Sequence, residues 1–181
     1  LDEIKANIEF GKKILGNSSG RMVLKDSHGQ VGAQVEVISC KEFTPLNLMD
    51  YMRKHGYDLA EEYVIQHKLL MELSPSGLNT VRVFTQLYDE HVHFLGARLR
   101  VSVNSPVDNL GAGNLAAPVD IRTGIVTDAA VYSDITKPDQ ETHPVTGKSI
   151  KGFQIPYWKE VLELAGSAAS FKPENRSIGW D

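Results

Sequence analysis

Lys25 ends a β-type run, MVLK, and the glycine-bearing stretch DSHGQVGA follows it at once. A lysine in that place sets one cation beside flexible backbone at Gly29 and Gly32, whose N–H groups can turn toward an anion. The spacing does not match G-x-x-x-x-G-K-[ST], and G-x-x-G alone is no dinucleotide fingerprint, so a P-loop and a Rossmann site are both excluded. Two readings stay open: a local phosphate grip, or a hairpin whose glycines satisfy turn geometry and whose lysine is solvated.

Further along, Glu61 and Glu62 precede YVIQH. Extended backbone through Tyr63, Val64 and Ile65 could offer N–H and C=O groups to a flat heterocycle such as adenine, while Glu62 or His67 meets a ribose; the alternative is a polar strand edge. In NTVRVFT, a period of two puts Thr80 and Arg82 on one strand face, and in ARLRVS it puts Arg98 and Arg100 on one face of the next. Pairing the two strands would gather these side chains on one sheet face. Like charges so gathered need an anion or carboxylates to compensate them, either as a phosphate clamp or as an exposed, salt-bridged face. The loop VDNLGAGNLAAPVD carries Asn109, Gly111, Gly113 and Asn114, small residues that let backbone donors approach an oxyanion, or that merely make a long surface turn. Asp181 follows the β-type SIGW and is expected at or in a strand.

The elements that must position these residues are short. Residues 2–15 carry Ile4, Ile8 and Leu15 near one helical face and end in the turn residues GNSSG. MVLK and AQVEVIS read as strands around the glycine loop. LNLMDYMRKH has helical periodicity with Gly56 as its C-terminal cap, and AEEYVIQH reads as extended. NTVRVFTQLY and VHFLGARLRVSV form an antiparallel pair through the polar turn DEH. Residues 104–119 read as a Gly/Asn-rich loop, and VDIRTGIVTDAAVY as two short strands around RTG. PYWKEVLELAGSAAS opens a helix at Pro156 and aligns Trp158, Val161, Leu162 and Ala165. The fold class is therefore α+β with mostly antiparallel sheets and flanking helices, and a boundary is expected near residues 66–78, where a charged stretch passes into LSPSGLN.

Composition narrows the function classes. With 181 residues the chain can bury a sizeable core, and 41% hydrophobic with 23% charged residues excludes disordered and collagenous classes. A net charge of −4 with no basic stripe excludes a dedicated nucleic-acid binder, so any phosphate is held by a few residues. The single cysteine, Cys40, makes no intramolecular disulfide, from which a reducing, cytoplasmic location is expected. No apolar run is long enough for a membrane span, and LDEIKANIEF has no signal-peptide pattern. No Ser-His-Asp or cysteine nucleophile has supporting context.

Taken in order, the Lys and Gly loop, EEYVIQH, SGLNTVRVFT, ARLRVS, VDNLGAGNLAAPVDIRTGIV, HPVTGKSIKGFQIPYW and IGWD resemble the sugar-transfer associated branch of the ATP-grasp superfamily, related to glutamate-adding ligases. The resemblance covers nearly the whole chain, most specifically residues 60–181. It implies a partial ATP-grasp fold, with a small subdomain over 1–66 and a larger one over 67–181. It implies ATP and Mg²⁺ as cofactors and a small-molecule carboxylate as substrate, activated as an acyl phosphate for attack by an amine or another nucleophile, with a link to polysaccharide or cell-envelope synthesis. The rival reading is a nucleotide-binding, regulatory or structural module without catalysis, and a homo-oligomer stays open. By the same resemblance Lys25 meets ATP phosphates beneath the loop from Gly29 to Gly32, and Glu62, Tyr63, Val64 and Ile65 form the adenine hinge. Thr80 stands where relatives often place an acidic ribose contact. Arg82, Arg98, Arg100 and Asn109 face the transferred phosphoryl group, and Asp181 is the first Mg²⁺ ligand. The Glu-x-Asn motif that supplies the other metal ligands is expected beyond Asp181, which makes this sequence the central and C-terminal part of an ATP-grasp unit.

Overall fold

A computed structural model describes residues 2–29, 34–171 and 173–181. The chain divides into two compact units, Leu1–Ile65 and Gln66–Asp181.

In the first unit, helix α1 (Asp2–Leu15) leads to strand β1 (Arg21–Lys25), β2 (Val35–Ser39), α2 (Pro45–His55) and β3 (Leu59–Glu62). The sheet order is β2-β1-β3, antiparallel throughout. β1 alternates, and its inward residues Met22 and Leu24 are fully buried against Ile38, Cys40, Leu48 and Met52. The start of α2 is fixed by a capping box: the Asn47 N–H donates to Thr44 Oγ1 at 3.4 Å and the Thr44 N–H donates to Asn47 Oδ1 at 2.6 Å, with Pro45 opening the helix. Gly56, at φ +74°, ends the helix in the left-handed region. The strand read from AEEYVIQH is shorter than expected. Pairing with β1 stops at Met22↔Glu62.

The second unit holds α3 (Lys68–Leu73), β4 (Thr80–Tyr88), β5 (His91–Val101), β6 (Leu115–Val119), α4 (Trp158–Phe171) and β7 (Ser177–Trp180), with sheet order β6-β5-β4-β7, all antiparallel. Asp89 and Glu90, both at positive φ (49° and 61°), make the tight β4–β5 turn. One sheet face is the core. Val83, Ala97, Leu99, Val101, Leu115, Ala117 and Val119 are buried there, beneath Trp158 and Ala165 of α4. Trp158 is held by its Nε1–H to the Ile121 carbonyl (2.8 Å), and Gly124, at φ +73°, leaves the indole its room: a β-carbon on Gly124 would lie 2.3 Å from Trp158 Cγ.

Two readings need correction here. LAAPV, taken as the end of a loop, is the strand β6; it has no polar alternation, four of its five residues are buried, and bridges from Val126 and Val131 pair along its far edge. Conversely, beyond Val119 the segment VDIRTGIVTDAAVY contributes only isolated bridges, at Ile125, Val126, Ala130 and Val131, rather than two strands. Helix α3 lies inside the stretch read as a boundary. Among the described residues no helix is long and apolar enough to cross a membrane.

Candidate functional site

The face of the second unit's sheet opposite its core collects charge. β4 and β5 are in register, with Thr80 opposite Arg100 and Arg82 opposite Arg98, so period-two alternation puts all four side chains on that face. β7 adds its end beside β4, Val83 opposite Trp180, which delivers Asp181 to Arg82. The turn after β5 returns Asp108 to the start of β4.

All of these residues but Arg98 form one connected cluster. Arg82 forks onto Asp181: its Nε–H donates to Oδ1 at 2.7 Å and its Nη2 donates to Oδ2. Arg100 Nη2 lies 3.3 Å from the same Asp181 Oδ1 and 3.5 Å from Asp108 Oδ1. Thr80 is the hinge of the group, since its Oγ1 accepts from Arg100 Nε (3.0 Å) and Nη2 (2.9 Å) while donating to Asp108 Oδ2 (2.5 Å). The Thr80 N–H donates to the same carboxylate oxygen at 2.8 Å. Charge-assisted bonds to Arg82 hold Asp181 below the usual carboxylate range, and the same pairing pushes Arg82 above the usual guanidinium value. Within the cluster the two guanidiniums of Arg82 and Arg100 are balanced by the two carboxylates, while Arg98 adds a further cation to the same face.

A buried polar network sets where the cluster's strands begin and end. Asn79, beside Thr80, accepts the Ser102 N–H on Oδ1 (2.9 Å) and donates to the Ser74 carbonyl (2.9 Å). The Ser102 carbonyl accepts from Ser74 Oγ (2.5 Å) and from His143 Nε2 (2.9 Å). His143 Nδ1 accepts backbone N–H groups from Val145 and Thr146, which fixes the neutral tautomer with the proton on Nε2. No buried side-chain nitrogen or oxygen among the described residues lacks a partner. The loop after β5 is anchored from inside: fully buried Asn114 accepts the Val103 N–H (2.7 Å) and donates to the carbonyls of Val107 (2.8 Å) and Asn109 (2.9 Å).

The other expected site residues have different surroundings. Arg98 stands apart from the cluster, its guanidinium 5.6 Å from the centre of the Phe84 ring. Asn109 is exposed and spends its Oδ1 on the Gly111 N–H (2.9 Å), so in this arrangement it shapes its own turn. In the first unit Lys25 is ion-paired with Glu61, its diagonal neighbour on β3. Glu62 accepts from Ser18 Oγ (3.2 Å), and Tyr63 lies beneath the Arg21 guanidinium, 5.4 Å from the ring centre. Val64 and Ile65 are exposed. Gly29 closes a turn through its N–H to the Asp26 carbonyl (3.0 Å), while Gly32 lies outside the described residues.

In this arrangement the Asp181 carboxylate is bound to guanidiniums, so the expected Mg²⁺ ligation would require it to leave the Arg82 fork. Both of its oxygens are taken by Arg82 and one is shared with Arg100, so the carboxylate faces cations already in place. Among the described residues the metal-ligating side chains that converge within 4.8 Å are Asp26, His28 and Asp58 of the first unit, where Ser27 donors hold Asp58 below the usual carboxylate range. Sequence reasoning missed His143 and gave Asp108 and Asn79 no part in an ion-paired or hydrogen-bonded cluster. Asp108 was legible only as a neighbour of Asn109, since nothing in VDN says which side chain turns inward.

These features define an α+β protein with two antiparallel sheets, one of which carries a basic and acidic cluster opposite its core. The chain belongs to the family described as sugar-transfer associated ATP-grasp, which matches residues 5–181. That membership supports ATP binding and ligase-type activity in general. No curated protein and no solved structure matches the chain at a significant level.

Proposed function

We propose that this chain binds ATP and serves an ATP-dependent ligase that activates a small-molecule carboxylate through an acyl phosphate. The observation that carries the reading is the Arg82–Arg100 pair, set on a rigid two-strand register and steadied by Thr80 and Asp108, in a chain of an ATP-grasp family. In the proposed reaction a carboxylate oxygen attacks the γ-phosphorus, the bond from that phosphorus to the β-bridging oxygen breaks, and ADP departs with the electron pair. An amine or other nucleophile then attacks the acyl carbon and expels phosphate. Negative charge shifts between oxygens throughout, so fixed guanidiniums contribute chiefly by positioning and charge stabilisation.

In this proposal Arg82, Arg98 and Arg100 approach the γ-phosphate or the acyl phosphate, and Asn109 lies in the loop that closes on the transferred phosphoryl group. Lys25, Gly29 and Gly32 are assigned to ATP phosphates, Glu62, Tyr63, Val64 and Ile65 to adenine, and Thr80 to positioning Arg100. The ion pair with Glu61 means that Lys25 must exchange a carboxylate for a phosphate, a swap between two anions of similar demand. A link to polysaccharide or envelope synthesis is carried by the family's description alone.

The test is calorimetric titration with a non-hydrolysable ATP analogue, with and without Mg²⁺, followed by an ADP-release screen across carboxylates. Micromolar binding, about −8 kcal/mol, weakened by Lys25→Ala and accompanied by carboxylate-dependent ADP release, is the expected result. Binding without turnover on any carboxylate would favour the non-catalytic nucleotide module, and binding equal in Lys25→Ala would remove that residue from the site.

A further inference from the structure

The pairing of Asp181 with two guanidiniums has a consequence for what the cluster can bind. We propose that Arg82 and Arg100 form an oxyanion seat which Asp181 fills from within, and that a phosphate or phosphoryl group enters by replacing the Asp181 carboxylate. The inference deepens the proposed function and rests on it only for the identity of the incoming group.

Three features carry it. First, the carboxylate is held as an oxyanion ligand would be: both oxygens on the Arg82 fork, and Oδ1 also 3.3 Å from Arg100 Nη2. A planar guanidinium fork binds carboxylate and phosphate edges by the same two parallel bonds. Second, the two acidic members of the cluster are not equivalent. Asp108 is buried and tied to the Thr80 backbone and hydroxyl, so it stays with the strand. Asp181 is more than a third exposed, and its carboxylate is bonded to guanidiniums rather than to a backbone N–H or a hydroxyl. Third, the charge changes in the right sense. With Asp181 in place, Arg82, Arg100, Asp108 and Asp181 sum to zero; with Asp181 withdrawn the remaining three sum to +1, which suits an incoming anion.

The probe is inorganic phosphate, with tripolyphosphate in parallel, titrated into the full chain in EDTA so that no divalent cation takes part. Asp181→Asn keeps the shape of the side chain and removes its charge. We expect it to bind phosphate about three- to tenfold more tightly than wild type, in the range that one partly exposed ion pair and one removed like charge supply. Arg82→Gln should bind phosphate at least tenfold more weakly than wild type. In wild type, which needs no variant to fold, the Arg82 Nε–H resonance should move with phosphate saturation while the Thr80 amide, held by Asp108, stays. Equal or weaker phosphate binding by Asp181→Asn, or an Arg82 resonance indifferent to phosphate, overturns the inference. Should the variant prove unfolded by circular dichroism, the wild-type resonances decide alone. Tighter phosphate binding in Asp181→Asn by a protein that ignores ATP analogues would sustain the seat and defeat the ATP-ligase reading, so the two fail separately.

Discussion

Removing the Asp108 side chain tests whether the charged face is organised from beneath by this buried carboxylate. Asp108→Ala takes away the acceptor of the Thr80 N–H at 2.8 Å and of the Thr80 hydroxyl at 2.5 Å, and one of the two counter-charges of Arg100, at 3.5 Å. A hydrogen bond to a charged group contributes roughly 1.5–3 kcal/mol, and an uncompensated ion left behind in a buried pair costs roughly 3–5 kcal/mol. Arg100 keeps Thr80 and Asp181, and water can reach a truncated loop side chain, so the sum is reduced to about 2–4 kcal/mol. For a chain of this size each kcal/mol moves the melting temperature by roughly 3 °C, so a loss of about 6–12 °C is expected. Urea denaturation gives the free energy directly. Thr80→Val separates the contributions, since it deletes the hydroxyl but keeps the N–H and the β-branched shape; the double variant should lose about 1–2 kcal/mol less than the two singles added together. An Asp108→Ala protein within about 0.5 kcal/mol of wild type, or strict additivity with Thr80→Val, would refute the claim that Asp108 organises the cluster.

Other sites give independent checks. Gly124→Ala should cost about 2–4 kcal/mol, because φ is +73° and the new methyl would meet the Trp158 ring; a urea midpoint close to wild type would contradict that packing. Asn114→Ala removes three bonds from a fully buried amide, so amide hydrogen exchange across residues 104–113 should quicken and stability fall by about 2–3 kcal/mol; unchanged exchange there would show the loop to be held otherwise. Asp181 titrates below an ordinary carboxylate in the folded chain, so its pairing stabilises above the unfolded value of about 4 and is lost as the pH falls through the lowered folded value. Its carboxyl carbon followed by NMR should titrate at a higher pH in Arg82→Gln than in wild type, and the same midpoint in both would break the assignment.

Local order and periodicity made most of the framework legible. The helix over 2–15, the β1–β2 hairpin, the Gly56 cap and the long β4–β5 pair are each written in neighbouring residues, and so is the gathering of Thr80, Arg82, Arg98 and Arg100 on one face. What escaped depends on residues far apart. β6 has no polar alternation in its sequence, all five of its residues being apolar, and its partners on the far edge come from Val126 and Val131, so LAAPV beside a Gly/Asn-rich loop reads as more loop. His143 joins the site only because HPVTG folds back onto Ser102, and no periodicity announces a contact of that span.

The same limit explains how the charged face was left with two readings, a clamp for an anion or a set of internal ion pairs. Alternation identifies which cations share a face, but the choice of counter-charge belongs to topology: β7 must add to β4 before Asp181 can reach Arg82, and the turn after β5 must fold back before Asp108 can reach Thr80. The two readings are then successive states of one site rather than rivals. A pair of guanidiniums needs a counter-charge whether or not substrate is present, and a carboxylate at the end of a short edge strand provides one that a phosphate can replace. Such a seat stays satisfied and folded without ligand, and the affinity it shows for phosphate is the difference between two oxyanions competing for the same fork. That is why the Asp181→Asn titration, which removes one competitor and leaves both arginines, weighs the arrangement more directly than removal of either arginine.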